Sequence, residues 1–203
     1  MIKQLSGKDD AVFYIFARLN SGGTQLVGQE IRNCVYQGTF AELLNNLNEK
    51  NSDWRAIFGK ATPDKRMRDA ELILRFFALL GNSGKYKKPM KKFLNDFMEA
   101  HKNPSEQELK DFRSEFETVA KSVHAALGAK PFHVHAGLNA AAFDSVFVAF
   151  AKNKNATIKG MKKKWDSLKD DGDFSKLISA ATPDEESIKK RLAQASSSLF
   201  AKK

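Results

Sequence analysis

Apolar residues recur at three- and four-residue spacing along nearly the whole chain, and no stretch shows the strict alternation of a half-buried strand. The pattern predicts an all-α protein, a bundle of about nine or ten helices. Phe13, Phe16 and Leu19 mark a first helix ending near Asn20, where Ser21-Gly22-Gly23 breaks it. A second runs from about Gly28 to Gln37 and stops at Gly38. Phe40 to Leu47 starts a third, and a short one spans Asn51 to Phe58 around Trp54. Thr62-Pro63-Asp64 reads as a helix start, with Thr as cap, Pro in the first turn and Asp at the positive helix end. The helix it opens carries Met67, Leu72, Leu74, Phe76, Phe77 and Leu80 on more than one face. That predicts a central buried helix, closed by Gly81-Asn82-Ser83-Gly84. Helices from Pro89 to His101 and from about Glu106 to Leu127 follow, the second capped by Asn103-Pro104-Ser105. Gly128-Ala129-Lys130-Pro131 reads as a boundary between a main lobe, residues 1–128, and a C-terminal lobe, residues 129–203. The second lobe carries helices over Leu138–Lys152, Ile158–Leu168, Phe174–Ser179 and Glu185–Phe200. Thr182-Pro183-Asp184 repeats the earlier start signal, with Glu185 completing a capping box.

Composition narrows the class. A chain of 203 residues can bury one good core, or two small helical lobes sharing one. Sixteen Phe against two Trp and three Tyr predict a core packed by Phe and Leu. No window approaches the roughly 20 apolar residues of a membrane span. The N-terminal stretch lacks the apolar centre of a signal peptide, so a cytoplasmic protein is expected. The single cysteine, Cys34, excludes an internal disulfide; its apolar helix side favours a core position over a nucleophile. His133-x-His135 is at most half a metal site, and with four His and one Cys in the chain two loop histidines are the favoured reading, with no metal. Asp170-Asp171-Gly172-Asp173 reads as a turn because it lacks the spacing of a calcium loop.

The formal charge is +10, from 34 Lys and Arg against 24 Asp and Glu, and most of the excess is Lys. Such an excess suits weak attraction to nucleic acid and suits solubility equally. Lys85, Lys87, Lys88, Lys91 and Lys92 crowd one segment beside Tyr86 and Phe93, where a solvated face is favoured. Lys152, Lys154, Lys159, Lys162, Lys163, Lys164 and Lys169 crowd another around Trp165. There a nucleic-acid backbone with one stacked base and a solvated face with an inward ring are equally open.

The stretch with most chemistry runs from Phe16 to Asn33. Gly22-Gly23 follows a helix and leads to another, with Arg18 before the break and Gln29, Glu30 and Arg32 after it. Gly-freed backbone N–H groups, a helix N-terminus and two Arg suit a phosphate or carboxylate. The same residues also suit a plain helix corner, in which Arg18 pairs with Glu30 and Asn20 bonds the turn backbone.

Phe16-x-Arg18-Leu19-Asn20-Ser21-Gly22-Gly23-Thr24-x-Leu26-x-x-Gln29-Glu30-Ile31-Arg32-Asn33 resembles the signature in the N-terminal domain of GmrSD-like proteins. These are ParB/sulfiredoxin-related proteins of modification-dependent restriction and other phage-defence systems. Tyr36-x-Gly38-x-Phe40-x-x-Leu43-Leu44 is similar to its continuation. Arg68-x-x-Glu71-x-x-Leu74-Arg75-Phe76 resembles the family's central helix, and Leu138-Asn139-x-x-x-Phe143-Asp144 its late helix start. The family carries an Asp-Gly-Gln-Gln-Arg segment upstream, in a ParB-like lobe with a role in nucleotide handling or catalysis, and many relatives carry a His-Asn-His type nuclease. Neither motif occurs in this sequence. Position 27, often Ser or Thr in such sequences, is Val27, which cannot cap the helix.

The resemblance therefore implies the helical back half of such a domain, acting in nucleotide-dependent recognition or restriction of foreign DNA. It implies a ParB-like lobe as partner, no cofactor in this chain alone, a nucleotide in the complete assembly, and no catalysis by this chain alone. It implies that Arg18, Asn20, Gly22 and Gly23 line a pocket, supported by Gln29, Glu30, Arg32 and Asn33. Arg18 and Arg32 would hold anionic groups, Asn20 and Gln29 would orient them, and Glu30 would position an Arg. The competing expectation is a non-enzymatic helical module that binds DNA through Lys159, Lys162, Lys163 and Lys164 or docks on a partner protein.

Overall fold

The computed structural model describes residue 15, residues 26–134, 137–180 and 182–201. Among these the chain forms ten α-helices and one two-stranded ribbon, so the all-α expectation holds. In chain order they are α1 (Gly28–Val35), α2 (Thr39–Lys50), α3 (Ser52–Phe58), α4 (Arg68–Asn82), α5 (Met90–Ala100) and α6 (Glu106–Leu127). The antiparallel strands β1 (His133–Val134) and β2 (Gly137–Leu138) come next, pairing His133 with Leu138. Then follow α7 (Ala140–Lys152), α8 (Met161–Lys169), α9 (Gly172–Ser179) and α10 (Glu185–Phe200). The predicted helix around Phe13, Phe16 and Leu19 lies outside the described residues, as do Arg18, Asn20, Gly22 and Gly23.

Helix α4 is buried along most of its length, as its apolar pattern predicts. Helix α7 is buried more completely: every residue from Ala141 to Ala151 is inside, including Asp144 and Ser145. The two pack together, with Phe76 of α4 edge-on to Phe147 of α7 at 5.6 Å. Trp54 of α3 lies 5.5 Å from Phe143, and Phe132 bridges Phe147 and Trp165 at 5.9 and 5.8 Å. The predicted boundary falls at Gly128, where φ is +81°. One apolar cluster runs across that point, from Ile31 to Leu199.

One helix start departs from expectation. Thr62-Pro63-Asp64 does not open α4, which begins only at Arg68 after Met67 in the left-handed region (φ 51°). The Asp64 N–H donates to the Asp69 carboxylate instead, and the Met67 N–H closes a turn on the Asp64 carbonyl. At its other end α4 stops at Asn82, within the predicted closing stretch Gly81–Gly84, and tightens into a 3₁₀ turn over Ser83–Lys85. Helix α10 starts at Glu185 as predicted, with Asp184 as its cap accepting from the Glu186 and Ser187 N–H groups; only the capping box is missing, since Glu185 reaches across to Lys87.

Candidate functional site

Helix α1 carries the second half of the motif, and the structure makes it an anchor. Val27 offers no side-chain acceptor, and the Glu30 carboxylate takes the Val27 N–H at 2.6 Å in compensation. Arg32 is 1% exposed. Its Nε donates to Gln29 Oε1 at 2.8 Å, its Nη2 to Glu71 at 2.5 Å, and its Nη1 reaches Asn95 Oδ1 at 3.5 Å. Burial lowers the Arg32 pKa and Glu71 opposes the effect, so the pair is held by charge and geometry together. Asn33 accepts from Asn45 of α2 at 3.2 Å. The two expected ligand residues thus have structural partners here: the Arg32 guanidinium pairs with Glu71, and the Gln29 amide orients Arg32. Glu30 does lie beside an arginine, 3.7 Å from Arg66.

The cavity lies next to this anchor, on the other side of Glu71. It is a cleft of about 750 Å³, within the size range of small-molecule sites. Arg68, Glu71, Leu72 and Arg75 line it from successive turns of one α4 face. Val27 bounds it at the start of α1, Phe58 comes from the end of α3 and Lys60 from the loop after it, and His133, Leu138 and Ala140 come from the ribbon and α7. Three segments distant in sequence therefore converge on one cleft: Val27, Arg68-Glu71-Arg75, and Leu138.

Two charge clusters edge the cleft, and each shares one carboxylate between two cations. At the rim, Asp64 accepts from Lys60 Nζ at 2.9 Å and from Arg68 Nε and Nη2 at 3.0 and 2.7 Å. The Arg68 hydrogen bond, with help from Lys60 and the Arg66 N–H, holds the Asp64 carboxyl well below the usual carboxylate range. The turn that presents these groups is tied down by Asp69, which takes both Arg55 Nη groups and the Asp64 N–H. Deeper, Asp144 accepts from Arg75 Nε at 3.1 Å and Nη2 at 2.5 Å, and from Arg191 Nη2 at 3.2 Å. Each cluster leaves one positive charge over. His133 on the same wall, though largely exposed, has a lowered pKa, from partial desolvation of its ring first and then from Lys130. A cleft with apolar walls at Phe58, Leu72 and Leu138 and two positive centres suits an anionic molecule with an apolar part.

The lysine segments behave differently. Trp165 is 1% exposed, and its Nε1 donates to the Pro131 carbonyl, so the ring faces the core and is not offered for base stacking. Lys162 and Lys169 pair with Asp166, and Lys164 donates to the Leu199 carbonyl at α10's end. Lys159 and Lys163 are exposed. In the other segment Tyr86 is buried, its hydroxyl donating to the Pro183 carbonyl, while Lys87 and Lys88 pair with Glu185 and Asp184. Cys34 is exposed, which corrects its expected core position: it lies outside the buried face formed by Gln29, Ile31 and Arg32. His133 is exposed on β1, and His135 lies outside the described residues. Asp171 caps α9 through its side chain, in keeping with the turn reading of that stretch. Among the described residues no group of three or more His, Cys, Asp or Glu side chains is placed to hold a metal, and no helix is long and apolar enough to cross a membrane.

Lys60, Asp64 and Arg191 were not among the expected site residues. The four-residue spacing of Lys60, Asp64 and Arg68 is a usable local signal, whereas nothing local to Arg191 marks it. No model of a known protein family matches the chain, and comparison with curated proteins and with solved structures gives no match either.

Proposed function

We propose that this chain is the helical part of a GmrSD-like defence protein, acting in the cytoplasm in nucleotide-dependent recognition or restriction of foreign DNA. In this proposal its cleft holds the anionic part of the nucleotide, and a ParB-like lobe on another segment or chain covers it. The observation that supports this most is the meeting of two resembling segments, Arg68-Glu71-Arg75 and Leu138, on a single cleft edged by surplus positive charge. Lys60 and Arg68 would meet phosphate oxygens at the rim, and Phe58, Leu72 and Leu138 would give the apolar portion a wall. The chain's part is binding and orientation; the reactive groups belong to the other lobe.

The test is a calorimetric titration of the four ribonucleoside triphosphates into the full chain, alone and with any ParB-like product encoded beside it. Binding should weaken about tenfold on Arg68→Gln, the loss of one charge-assisted contact. Absence of triphosphate binding in both settings, or indifference to Arg68→Gln and Lys60→Gln, would sink the proposal. The DNA-binding alternative rests on the exposed lysines of α8 and the loop before it. It gains if a salt-dependent DNA mobility shift survives Arg68→Gln and disappears when Lys159, Lys162, Lys163 and Lys164 are changed to Gln.

A further inference from the structure

Asp144 sits within the run of eleven buried residues of α7, where a lone carboxylate would be very costly. Arg75 alone would satisfy it: the guanidinium grips both carboxylate oxygens through Nε and Nη2. A second arginine nevertheless comes in from α10. Arg191 is 0% exposed, with Nη2 on Asp144, Nη1 on the Thr182 carbonyl at 2.5 Å, and Nε buried without an acceptor. Burial works against its charge and lowers its pKa, yet a guanidinium does not give up its proton in a protein. The carboxylate next along α4, Glu71, is already engaged by Arg32. Across this network three guanidinium groups, Arg32, Arg75 and Arg191, face two carboxylates, Glu71 and Asp144.

A surplus charge in a desolvated place is stabilised by an anion that can reach it. Here the route is Arg75. It lines the cleft and keeps 13% of its side chain exposed, and its remaining nitrogen, Nη1, makes no hydrogen bond to the described residues. We infer that the inner end of the cleft is an oxyanion seat in which Arg75 Nη1 contacts a phosphate oxygen and Arg191, without touching the ligand, keeps Arg75 from being neutralised by Asp144. Arg191 is thus a positioning residue that acts through Asp144. The seat is separate from the rim cations Lys60 and Arg68, so a bound molecule can be held at two points along α4. The inference rests on the reading of the cleft as a ligand site, but its probe requires neither nucleotide nor partner lobe.

Inorganic pyrophosphate titrated into the full chain by isothermal calorimetry reads the seat directly. Binding is expected in the unaltered protein and should be lost on Arg75→Gln. Arg191→Met, which removes the charge and keeps the volume, should weaken it about tenfold, or about 1.4 kcal/mol. Arg191→Lys should stay within about threefold, since the charge remains. Asp144→Asn should tighten binding, the opposite sign to Arg191→Met. Should Asp144→Asn fail to fold by far-UV circular dichroism, the Met and Lys pair at position 191 carries the test. Equal affinity for Arg191→Met and Arg191→Lys, or no pyrophosphate binding at all, overturns the seat. Binding lost on Arg68→Gln yet unmoved by Arg191→Met overturns the seat alone and leaves the cleft reading in place. The expected pattern at 75 and 191, combined with no triphosphate binding in either setting, keeps the seat and removes the nucleotide reading.

Discussion

Asp69 holds the cleft's rim in place, and replacing it by Asn measures how firmly. Its Oδ2 accepts from Arg55 Nη1 at 2.9 Å, Arg55 Nη2 at 3.0 Å and the Asp64 N–H at 2.8 Å, and Oδ1 takes the Ala70 N–H at 2.9 Å. Asn keeps one oxygen for these donors and turns the other position into a donor facing a donor. It also strands the Arg55 charge, whose side chain is 8% exposed and whose Nε already lacks a partner. Breaking one side of a buried ion pair costs about 3–5 kcal/mol. At about 2–4 °C per kcal/mol for a chain of this length, the midpoint of thermal unfolding should fall on the order of 10 °C. Far-UV circular dichroism during heating and urea titration reads both quantities. Arg55→Met in the Asp69→Asn background removes the stranded charge and should restore at least about 1.5 kcal/mol. A loss below about 1 kcal/mol for Asp69→Asn, the range of an exposed pair, would refute the reasoning. So would a double variant no more stable than the single one.

Gly38→Ala should cost about 2 kcal/mol in urea unfolding, because an added Cβ would sit 2.3 Å from the Lys102 carbonyl oxygen and 2.6 Å from Asn103 Oδ1; a neutral outcome would mean that loop gives way freely. The folded Asp64 pKa is depressed, so its contribution is present above pH ~4 and lost as pH falls further. The stability gap between the unaltered protein and Asp64→Asn should therefore shrink between pH 7 and pH 3, and a constant gap counts against the rim cluster. His133 should titrate below its ordinary 6.5 in a proton NMR series, so that its protonation weakens the fold as pH drops through that region; pyrophosphate in the cleft should move the titration upward.

The helices were legible because burial imposes a period. α6 and α10 match their predicted spans, since apolar side chains at three- and four-residue spacing have one stable arrangement around a shared core. The helix starts were legible only where local chemistry had no rival. The same tripeptide occurs twice, Thr62-Pro63-Asp64 and Thr182-Pro183-Asp184. At the second copy Asp184 caps α10, as a short acidic side chain at that place should. At the first copy a buried Asp69 needs donors for its carboxylate, and the Asp64 N–H is drawn into that network, with Arg55 arriving from α3. A capping bond contributes about 1 kcal/mol. An unsatisfied buried carboxylate costs more, so the tertiary demand prevails and the helix starts five residues later.

The site was legible in its local half only. Lys60, Asp64 and Arg68 sit at four-residue spacing, and α4's Arg68, Glu71 and Arg75 share a face by periodicity alone. The partners that decide what each cation can do are remote. Glu71 lies 39 positions from Arg32 and converts an expected ligand residue into a structural pair. Arg191 lies 47 positions from Asp144 and turns a neutral pair into a surplus charge. The formal charge of +10 gives no guide here, because most of that excess is Lys, and the lysines placed by the structure are largely exposed and many are paired with neighbouring acids. What makes the cleft positive is a ratio, two cations to each of two carboxylates, and a ratio set by long-range packing can be counted only once the chain is folded.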